Sequence, residues 1–285
     1  MQTLCHISLP SGGSTVLLGA EGGGPADPVA LVLPAMGVPA AYYGPFVDEL
    51  GRQGVGAAVG DYPGQGQSLP EVSRGVDYGY RELAQEWMPA ILAATHSAFP
   101  SREVVLLGHS LGGHVMLAYL AHVDDPKVRA GILVGSGSPY WMAQGKNVGV
   151  LAKTQVVAAV TRVRGMWPGH RFGFGGRQPR TLMAEWAGYA RHGRLEPGGK
   201  AVEDDLHDVT LPVLAIDLDG DTLCPPSATD HLVAKLTGAP VDRWTFAKSP
   251  GDPGKPVDHF SFARSPEIIG AYLADWARAT ASLRE

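Results

Sequence analysis

The chain has 285 residues, of which 45% are hydrophobic and 18% charged, and its formal net charge is −5. This composition is typical of a folded globular enzyme and excludes a disordered or collagen-like chain. Two cysteines, Cys5 and Cys224, allow one disulfide at most, so a disulfide-stapled scaffold is excluded as well.

Apolar runs and helical patterns alternate through the first half of the chain. The predicted elements are, in chain order, a hairpin of residues 4–9 and 15–18, a strand at 29–33, a helix at 40–53, a strand at 56–59, a helix at 78–98 in which Pro89 favours a kink, a strand at 103–107, a helix at 111–122 and a strand at 128–134.

The stretch 138–207 interrupts this alternation. It shows no clear strand, its apolar part at 148–163 has a helical pattern, and its middle is rich in glycine and arginine. A strand at 213–216, a helix at 227–236, a strand at 241–246 and a helix at 266–279 then resume the rhythm. We therefore predict an α/β fold with a mostly parallel sheet covered on both faces, in which residues 1–137 and 208–285 form the core and residues 138–207 form an inserted, largely helical cap.

The run Gly108-His109-Ser110-Leu111-Gly112 fits the pattern G-x-S-x-G, directly after a predicted strand and directly before a predicted helix. Glycines two residues on either side of a serine allow the backbone to turn sharply there. The hydroxyl of Ser110 would then lie above the strand end at a helix N-terminus, where developing negative charge is favoured. We expect Ser110 to be a nucleophile.

A serine nucleophile needs a general base, and His259 is the preferred candidate. It lies in the loop between the last strand and the last helix, from which an imidazole can reach over the sheet. His207 precedes the strand that should carry the acid, and His231 falls within a helix. His109 adjoins the serine, but neighbours on such a turn point in different directions, so we interpret it as structural.

The acid that orients the histidine should follow the strand at 213–216. Asp217 lies in or at the end of that strand, whereas Asp219 and Asp221 lie in the loop after it. Asp221 is favoured, with Asp219 as the alternative.

An oxyanion hole needs two backbone N–H donors. The amide of Leu111, directly after the nucleophile, is one candidate. The second is expected from the loop Pro34–Pro39, in which Gly37 allows close approach of the backbone. Val38 is the preferred donor there, and Met36 is the alternative.

Together these features resemble the α/β-hydrolase superfamily over essentially the whole chain. The run at 61–68, DYPGQGQS, is similar to the family's D-x-R-G-x-G-x-S turn with Pro63 in place of Arg, and the run at 221–225 resembles its D-x-x-x-P acid loop. Residues 36–39 are similar to its H-G-x-P oxyanion loop with Met36 in place of His. The glycine-rich run at 172–176 and Trp186 resemble a poorly characterised subgroup of capped serine hydrolases.

The predicted cap is rich in aromatic and basic side chains. An apolar pocket over Ser110 is expected to be lined by Met36, Trp141, Phe172, Phe174 and Trp186. For most aromatic residues of this segment, however, the cap's own core is the favoured interpretation. Between Gly137 and Lys200 there are ten basic and two acidic residues. A solvated basic face is the simpler interpretation, and an anionic substrate such as a carboxylate or a coenzyme A thioester is the alternative.

We therefore expect hydrolysis of a carboxylic ester or thioester with a hydrophobic acyl or aromatic part, through a Ser-His-Asp triad and an acyl-enzyme. An acyltransferase or thioesterase acting on an acyl-CoA or acyl-carrier substrate, and a non-hydrolytic lyase or binding protein, stay open as alternatives. The sequence contains neither a metal-ligand spacing nor a nucleotide-binding loop, so we expect no cofactor. A cytoplasmic protein is expected, without signal peptide, membrane span or nucleic-acid partner, and a homodimer is left open.

Overall fold

The apolar runs of the sequence form the central sheet of the protein in a computed structural model, which describes residues 1–247 and 256–281. Eight strands lie in the order β1-β2-β4-β3-β5-β6-β9-β10. Their bounds are Gln2–Ser8 (β1), Ser14–Ala20 (β2), Val29–Leu33 (β3), Gly56–Gly60 (β4), Val104–His109 (β5), Val128–Val134 (β6), Val213–Leu218 (β9) and Val241–Phe246 (β10). Strand β2 pairs antiparallel with both β1 and β4, and the pairings from β4 through to β10 are parallel.

The central strands β3, β4, β5, β6 and β9 are buried along their whole length, and their successive side chains point to opposite faces of the sheet. In β3, Leu31 and Leu33 join one hydrophobic cluster with side chains of the helices on that face, whereas Ala30 and Val32 join a second cluster on the other face. This is the two-sided burial that a parallel sheet requires, so the predicted α/β class is confirmed.

Nine helices of the described residues surround the sheet. Their bounds are Gly44–Arg52 (α1), Tyr80–Glu82 (α2), Met88–Ala98 (α3), Leu111–Leu120 (α4), Val148–Arg164 (α5), Arg180–His192 (α6), Glu203–Leu206 (α7), Pro226–Val233 (α8) and Glu267–Ala281 (α9). Side chains of α1 and α9 contribute to one hydrophobic cluster, and side chains of α3 and α4 contribute to the other.

The helix predicted at 78–98 is irregular where Pro89 enters it. A π-helical turn at Leu83–Trp87 separates α2 from α3, and Pro89 lies in the first turn of α3. Proline has no N–H to donate to the preceding turn, and its ring crowds the carbonyl four residues back. A widened turn directly before Pro89 accommodates both effects.

The segment 138–207 contains helices α5, α6 and α7 and also two short strands that the sequence did not indicate. Met166–Pro168 (β7) pairs antiparallel with Arg177–Pro179 (β8) and closes the glycine-rich loop between them. Side chains hold this segment against residues 61–82. The Asp77 carboxylate accepts from the Thr181 amide at 2.8 Å, and the Gln65 side chain donates to the Arg177 carbonyl at 2.6 Å.

Both cysteines are free thiols: Cys224 is buried and Cys5 is half-buried. Among the described residues, no helix combines the length and the apolar character needed to cross a bilayer.

Candidate active site

Ser110 lies at a sharp turn between β5 and α4, with φ at +54°. The flanking glycines are needed because the backbone is crowded there. A Cβ on Gly108 would lie 2.5 Å from the backbone of Gly113, and a Cβ on Gly112 would overlap the Leu33 carbonyl of β3. The sharp turn therefore tolerates no side chain at either position, and it presents the half-buried Ser110 at the carboxyl end of the sheet.

His259 and Asp221 are in direct contact. The Nδ1 of His259 lies 2.6 Å from Oδ2 of Asp221, and both side chains are buried. The other oxygen of Asp221, Oδ1, accepts from the amides of Leu223 and Cys224 at 2.8 and 2.9 Å. Since a carboxylate can only accept, Nδ1 of His259 carries the proton and Nε2 is left with its lone pair.

The two other aspartates of this region have different partners. Asp219 accepts from the amide of Val257 at 2.7 Å, so it anchors the backbone two residues before His259. Asp217, in β9, pairs with Arg243 of the neighbouring strand at 2.5 Å. Asp221 is therefore the acid that the structure brings to His259, and the alternative Asp219 supports the loop.

Gly135 is a site residue that the sequence analysis missed. It follows β6 with φ at +50°, and a Cβ there would lie 3.0 Å from Asp221 Oδ2 and 3.3 Å from His259 Nδ1. The strand β6 lies between β5, which carries Ser110, and β9, which precedes Asp221. The signal that could have revealed it is the run of small residues, Gly135-Ser136-Gly137-Ser138, at the end of a buried strand.

His109 links three parts of the site through one chain of hydrogen bonds. Its Nε2 lies 2.8 Å from the carbonyl oxygen of His259, and its Nδ1 lies 2.7 Å from the hydroxyl of Tyr43. The carbonyl can only accept, so Nε2 donates and Nδ1 accepts from Tyr43. The Tyr43 oxygen in turn accepts from the Ala35 amide at 2.9 Å.

Burial fixes the protonation state of this chain. His109 is fully enclosed, and desolvation lowers its pKa well below the ordinary value. A neutral ring with its proton on Nε2 therefore connects the serine turn, the His259 loop and the loop after β3. The interpretation of His109 as structural agrees with this position, and Tyr43 is a partner that the sequence did not suggest.

Asp258 shapes the loop that carries His259. Its Oδ1 accepts from the amides of Phe260 and Ser261 at 2.9 and 2.8 Å. These bonds, with that of Phe260 the largest, lower the pKa of Asp258 below its usual value. The charged carboxylate thus caps the short 3₁₀ turn at Ser261–Ala263 and fixes the backbone next to His259.

The two candidate oxyanion donors differ in what their amides contact. Leu111 is the first residue of α4, where a helix leaves its N–H groups without intrahelical partners. The Val38 amide donates to the Ala35 carbonyl at 3.1 Å and so closes a turn within its own loop. The sequence analysis expected the Val38 amide to be free to donate to an oxyanion, whereas in the structure it already has an acceptor. The amide of Met36 has no acceptor among the described residues.

The loop after β3 touches the glycine-rich loop of the segment 138–207. Gly37 has φ at +72°, and a Cβ there would overlap the carbonyl of Gly175. From the other side, a Cβ on Gly175 would lie 3.2 Å from Sδ of Met36, and one on Gly176 would lie 3.2 Å from Cα of Gly37. The two loops therefore pack backbone against backbone, and glycine on both sides makes this approach feasible.

The residues predicted to bind substrate fall in separate places. The rings of Phe174 and Trp186 lie 5.8 Å apart, next to the Gly175 that contacts Met36. Phe172 stacks on Trp167 at 5.2 Å and is largely exposed. Trp141 donates its amide to the Ala190 carbonyl at the end of α6, and no aromatic contact joins it to the others among the described residues.

Asp61, in the run that resembles a family turn, is a structural residue. Its carboxylate accepts from the amides of Ala40 and Gln67 at 2.7 and 2.9 Å, and a Cβ on Gly66 would overlap that carboxylate. Burial raises the pKa of Asp61. Within the described ranges, no three His, Cys, Asp or Glu side chains are grouped as metal ligands.

A family model described as "Alpha/beta hydrolase family" matches residues 30–281. Among solved structures, the chain is similar to the esterase EaEST from Exiguobacterium antarcticum (TM-score 0.63, 18% identity, 98% of this chain and 100% of that chain covered) and to the esterase RhEst1 from Rhodococcus sp. ECU1013 (TM-score 0.62, 19% identity, 98% and 100% covered). It is also similar to an enol-lactonase from Burkholderia xenovorans LB400 (TM-score 0.56, 13% identity, 95% and 99% covered). No match was found among curated protein sequences. The predicted resemblance to the α/β-hydrolase superfamily and the predicted fold are confirmed.

Proposed function

The chain belongs to the alpha/beta hydrolase family, and from this premise we propose that it is a serine hydrolase that cleaves a carboxylic ester. The observation that carries the proposal is the 2.6 Å contact between His259 and Asp221, at the end of the sheet where Ser110 lies on its strained turn. Chain order supports it as well, because this family's pattern places the serine first, the acid second and the histidine last.

The proposed reaction begins at Ser110. Nε2 of His259 takes the hydroxyl proton while Oγ attacks the ester carbonyl, and Asp221 stabilises the resulting imidazolium through Nδ1. The tetrahedral intermediate then expels the alcohol, which receives the proton from His259. A water molecule attacks the acyl-enzyme with His259 again as base, and the acid leaves with Ser110 restored.

The oxyanion of each intermediate would be held by the Leu111 amide and by one amide of the loop 35–38. We retain Val38 for that role. Its 3.1 Å bond to Ala35 is long, and a shared, three-centre N–H is common in proteins. Met36, whose amide has no acceptor among the described residues, is the second candidate.

The proposed substrate has a hydrophobic acyl or aromatic part. Residues 138–207 would form a cap inserted between β6 and β9, and the pair Phe174–Trp186 together with Met36 would supply an apolar wall beside the oxyanion loop. The similar esterase structures agree with an ester substrate. At under 20% identity, what they establish is the fold.

Labelling with a fluorophosphonate probe tests the proposed nucleophile. We expect the wild type to be labelled and Ser110→Ala to remain unlabelled. The control Ser97→Ala should be labelled like the wild type, because its exposed hydroxyl donates only to the Ala93 carbonyl of its own helix at 2.9 Å. A folded wild type that takes no label would contradict the serine hydrolase and favour a binding protein or lyase.

Turnover of p-nitrophenyl esters of graded chain length, beside acyl-CoA thioesters of the same acyl groups, tests the substrate class. We expect kcat/KM for ester hydrolysis to increase with acyl length until the acyl chain covers the whole apolar wall. A clear preference for the CoA thioesters would replace the esterase assignment with a thioesterase.

A further inference from the structure

The helix α5 exposes three of its valines and buries its two threonines. Val148, Val156 and Val163 are 64%, 59% and 84% exposed, whereas Thr154 and Thr161 are buried against the rest of the protein. A helix that only packs on a core shows the opposite arrangement. Val148, Val156 and Val163 therefore face outward, whereas Val157 is buried in the core and Val160 packs partly against it.

The exposed apolar residues form one narrow band. At 3.6 residues per turn, their positions fall within an arc of about 80° along the whole helix. We call this band the outward stripe; it consists of Val148, Ala152, Val156, Ala159 and Val163. By the same geometry, Lys153 and Arg164 flank one side of the stripe and Arg162 flanks the other.

The bases beside the stripe have no carboxylate partners. Among residues 1–247 and 256–281, Lys153, Arg162 and Arg164 form no ion pair, whereas Arg177 and Arg180 reach Glu71 and Asp77 of the core. The sequence from 138 to 184 contains no acidic residue. The helix thus carries positive charges that no neighbouring carboxylate neutralises in the described part of the chain, on both sides of an exposed apolar band.

We propose that the outward stripe of α5 docks on the surface of an anionic lipid bilayer. An apolar band bordered by basic residues is the arrangement with which a helix lies in the plane of a membrane, where the band enters the acyl boundary and the bases meet lipid phosphates. The side chain of Phe172 supports this, because it is 62% exposed on the loop that follows α5 and aromatic rings favour the headgroup level.

The charge decides between a bilayer and a second copy of the chain. In a two-fold dimer the same patch meets itself, so Lys153, Arg162 and Arg164 of one protomer would lie against the same bases of the other. That contact is repulsive, whereas the phosphates of an anionic bilayer neutralise the charge of each Lys and Arg side chain.

The docked helix would place lipid near the candidate active site. The loop that follows β7 carries the exposed Phe172 at one end and reaches Met36 and Gly37 with Gly175. The docking itself does not rest on the proposed function, because lipid binding requires no catalysis.

Vesicle flotation with the full chain tests the docking. The probes are vesicles of phosphatidylcholine alone and of equal parts phosphatidylcholine and phosphatidylglycerol. We expect the protein to float with the second kind and to be released by salt, since each base near the surface contributes roughly fivefold in affinity. Ser110→Ala should bind equally, which separates this result from a failure of the proposed catalysis.

Two variants of α5 identify the surface. The triple variant Lys153→Gln, Arg162→Gln and Arg164→Gln should lose on the order of 100-fold in affinity for anionic vesicles. The pair Val156→Ser and Val163→Ser should lose about tenfold, because two buried side chains are removed from the acyl boundary. The matched control is Val123→Ser with Lys127→Gln, two exposed positions in the loop between α4 and the start of β6.

The proposal is overturned if the wild type ignores anionic vesicles, or if both α5 variants bind them as the wild type does. It is also overturned if the wild type does not bind vesicles and the α5 variants differ from it in the molar mass of the particle measured by light scattering. The stripe would then be an interface between copies of the chain. Circular dichroism melts of the variants ensure that a loss of binding reflects the changed surface.

Discussion

The backbone of Ser110 is held in an unfavourable conformation by its neighbours. It is one of three non-glycine residues with positive φ in the described part of the chain, and such a conformation costs on the order of 1–3 kcal/mol. Its amide donates to Val134 at 3.2 Å, and Ser136 donates to its carbonyl at 2.7 Å. The end of strand β6 and the loop directly after it thus hold the turn of Ser110 through its amide and its carbonyl.

The first prediction concerns the choice of acid. Asp221→Asn should lower kcat by roughly 10³–10⁴, because an amide at that position no longer stabilises the imidazolium and disfavours the required tautomer of His259. The measurement is ester hydrolysis at saturating substrate.

Asp219→Asn is the matched control for that variant, since an asparagine oxygen can still accept from Val257. Its kcat should stay within a few-fold of wild type. Equal losses in the two variants would contradict the assignment of Asp221.

The second prediction concerns Tyr43. Tyr43→Phe removes the acceptor of the Ala35 amide and the donor to His109, which leaves two buried polar groups unsatisfied. The free energy of unfolding should fall by roughly 1–3 kcal/mol. Because Ala35 lies in the oxyanion loop, kcat should also fall about tenfold while KM changes little.

Tyr119→Phe serves as the control, because its hydroxyl bonds Asp125 at the far end of α4. It should retain the wild-type kcat. If Tyr43→Phe is destabilised but keeps full kcat, the hydrogen-bond chain through His109 has no role in positioning the oxyanion loop.

At the level of elements, the contact between the loop after β3 and the glycine-rich loop connects the core to the segment 138–207. We predict that Gly37→Ala separates them, since the new Cβ would overlap the Gly175 carbonyl and the φ of +72° disfavours a side chain. Ester kcat/KM should fall by at least tenfold, as the oxyanion amides move with the loop.

Gly173→Ala is the control for Gly37→Ala. Gly173 lies in the same glycine-rich loop and also has positive φ, but a Cβ there would meet no atom within 4 Å. Similar activity losses in the two variants would indicate that backbone strain, rather than the loop contact, accounts for the effect.

The core elements follow closely from hydrophobic patterning. The predicted strands at 29–33, 128–134 and 241–246 have the same bounds in the structure. The first two are fully buried, as short, mostly apolar runs between turn residues indicate. The strands β7 and β8 escaped prediction. Each has three residues, and Arg177–Pro179 carries no apolar alternation, so tertiary contacts rather than local pattern define them.

At the scale of the whole molecule, buried histidines make stability depend on pH. Burial lowers the pKa of His114 to about 4, and the Gly137 carbonyl that accepts from its ring opposes this only in part. In the unfolded chain the imidazole takes up its proton near the ordinary histidine pKa of 6.5. Between these values the unfolded state binds more protons, so stability falls as the pH falls.

We therefore predict that the wild type loses about 2 kcal/mol of unfolding free energy through His114 alone between pH 7 and pH 5. Urea titrations at both pH values measure the loss. His114→Gln keeps a donor and an acceptor at this position but cannot titrate. Its loss of unfolding free energy between pH 7 and pH 5 should therefore be smaller than that of the wild type by about 2 kcal/mol. His122→Gln, at an exposed position, should show the wild-type loss, and an unchanged pH dependence in His114→Gln would contradict the burial argument.

The sequence by itself determined the α/β class and the order of the core elements, because hydrophobic periodicity is local and burial demands it. It also singled out Ser110, His259 and Asp221 as candidates, since glycine spacing and loop position follow from the chain alone. Only the tertiary structure decided that Asp221 and not Asp219 meets His259, that Val38 already donates to Ala35, and that Tyr43 reaches His109. These contacts join residues far apart in the chain, and the outward stripe of α5 became visible only when folding buried its threonines. Such relations depend on where the strands place their loops, which no local pattern encodes.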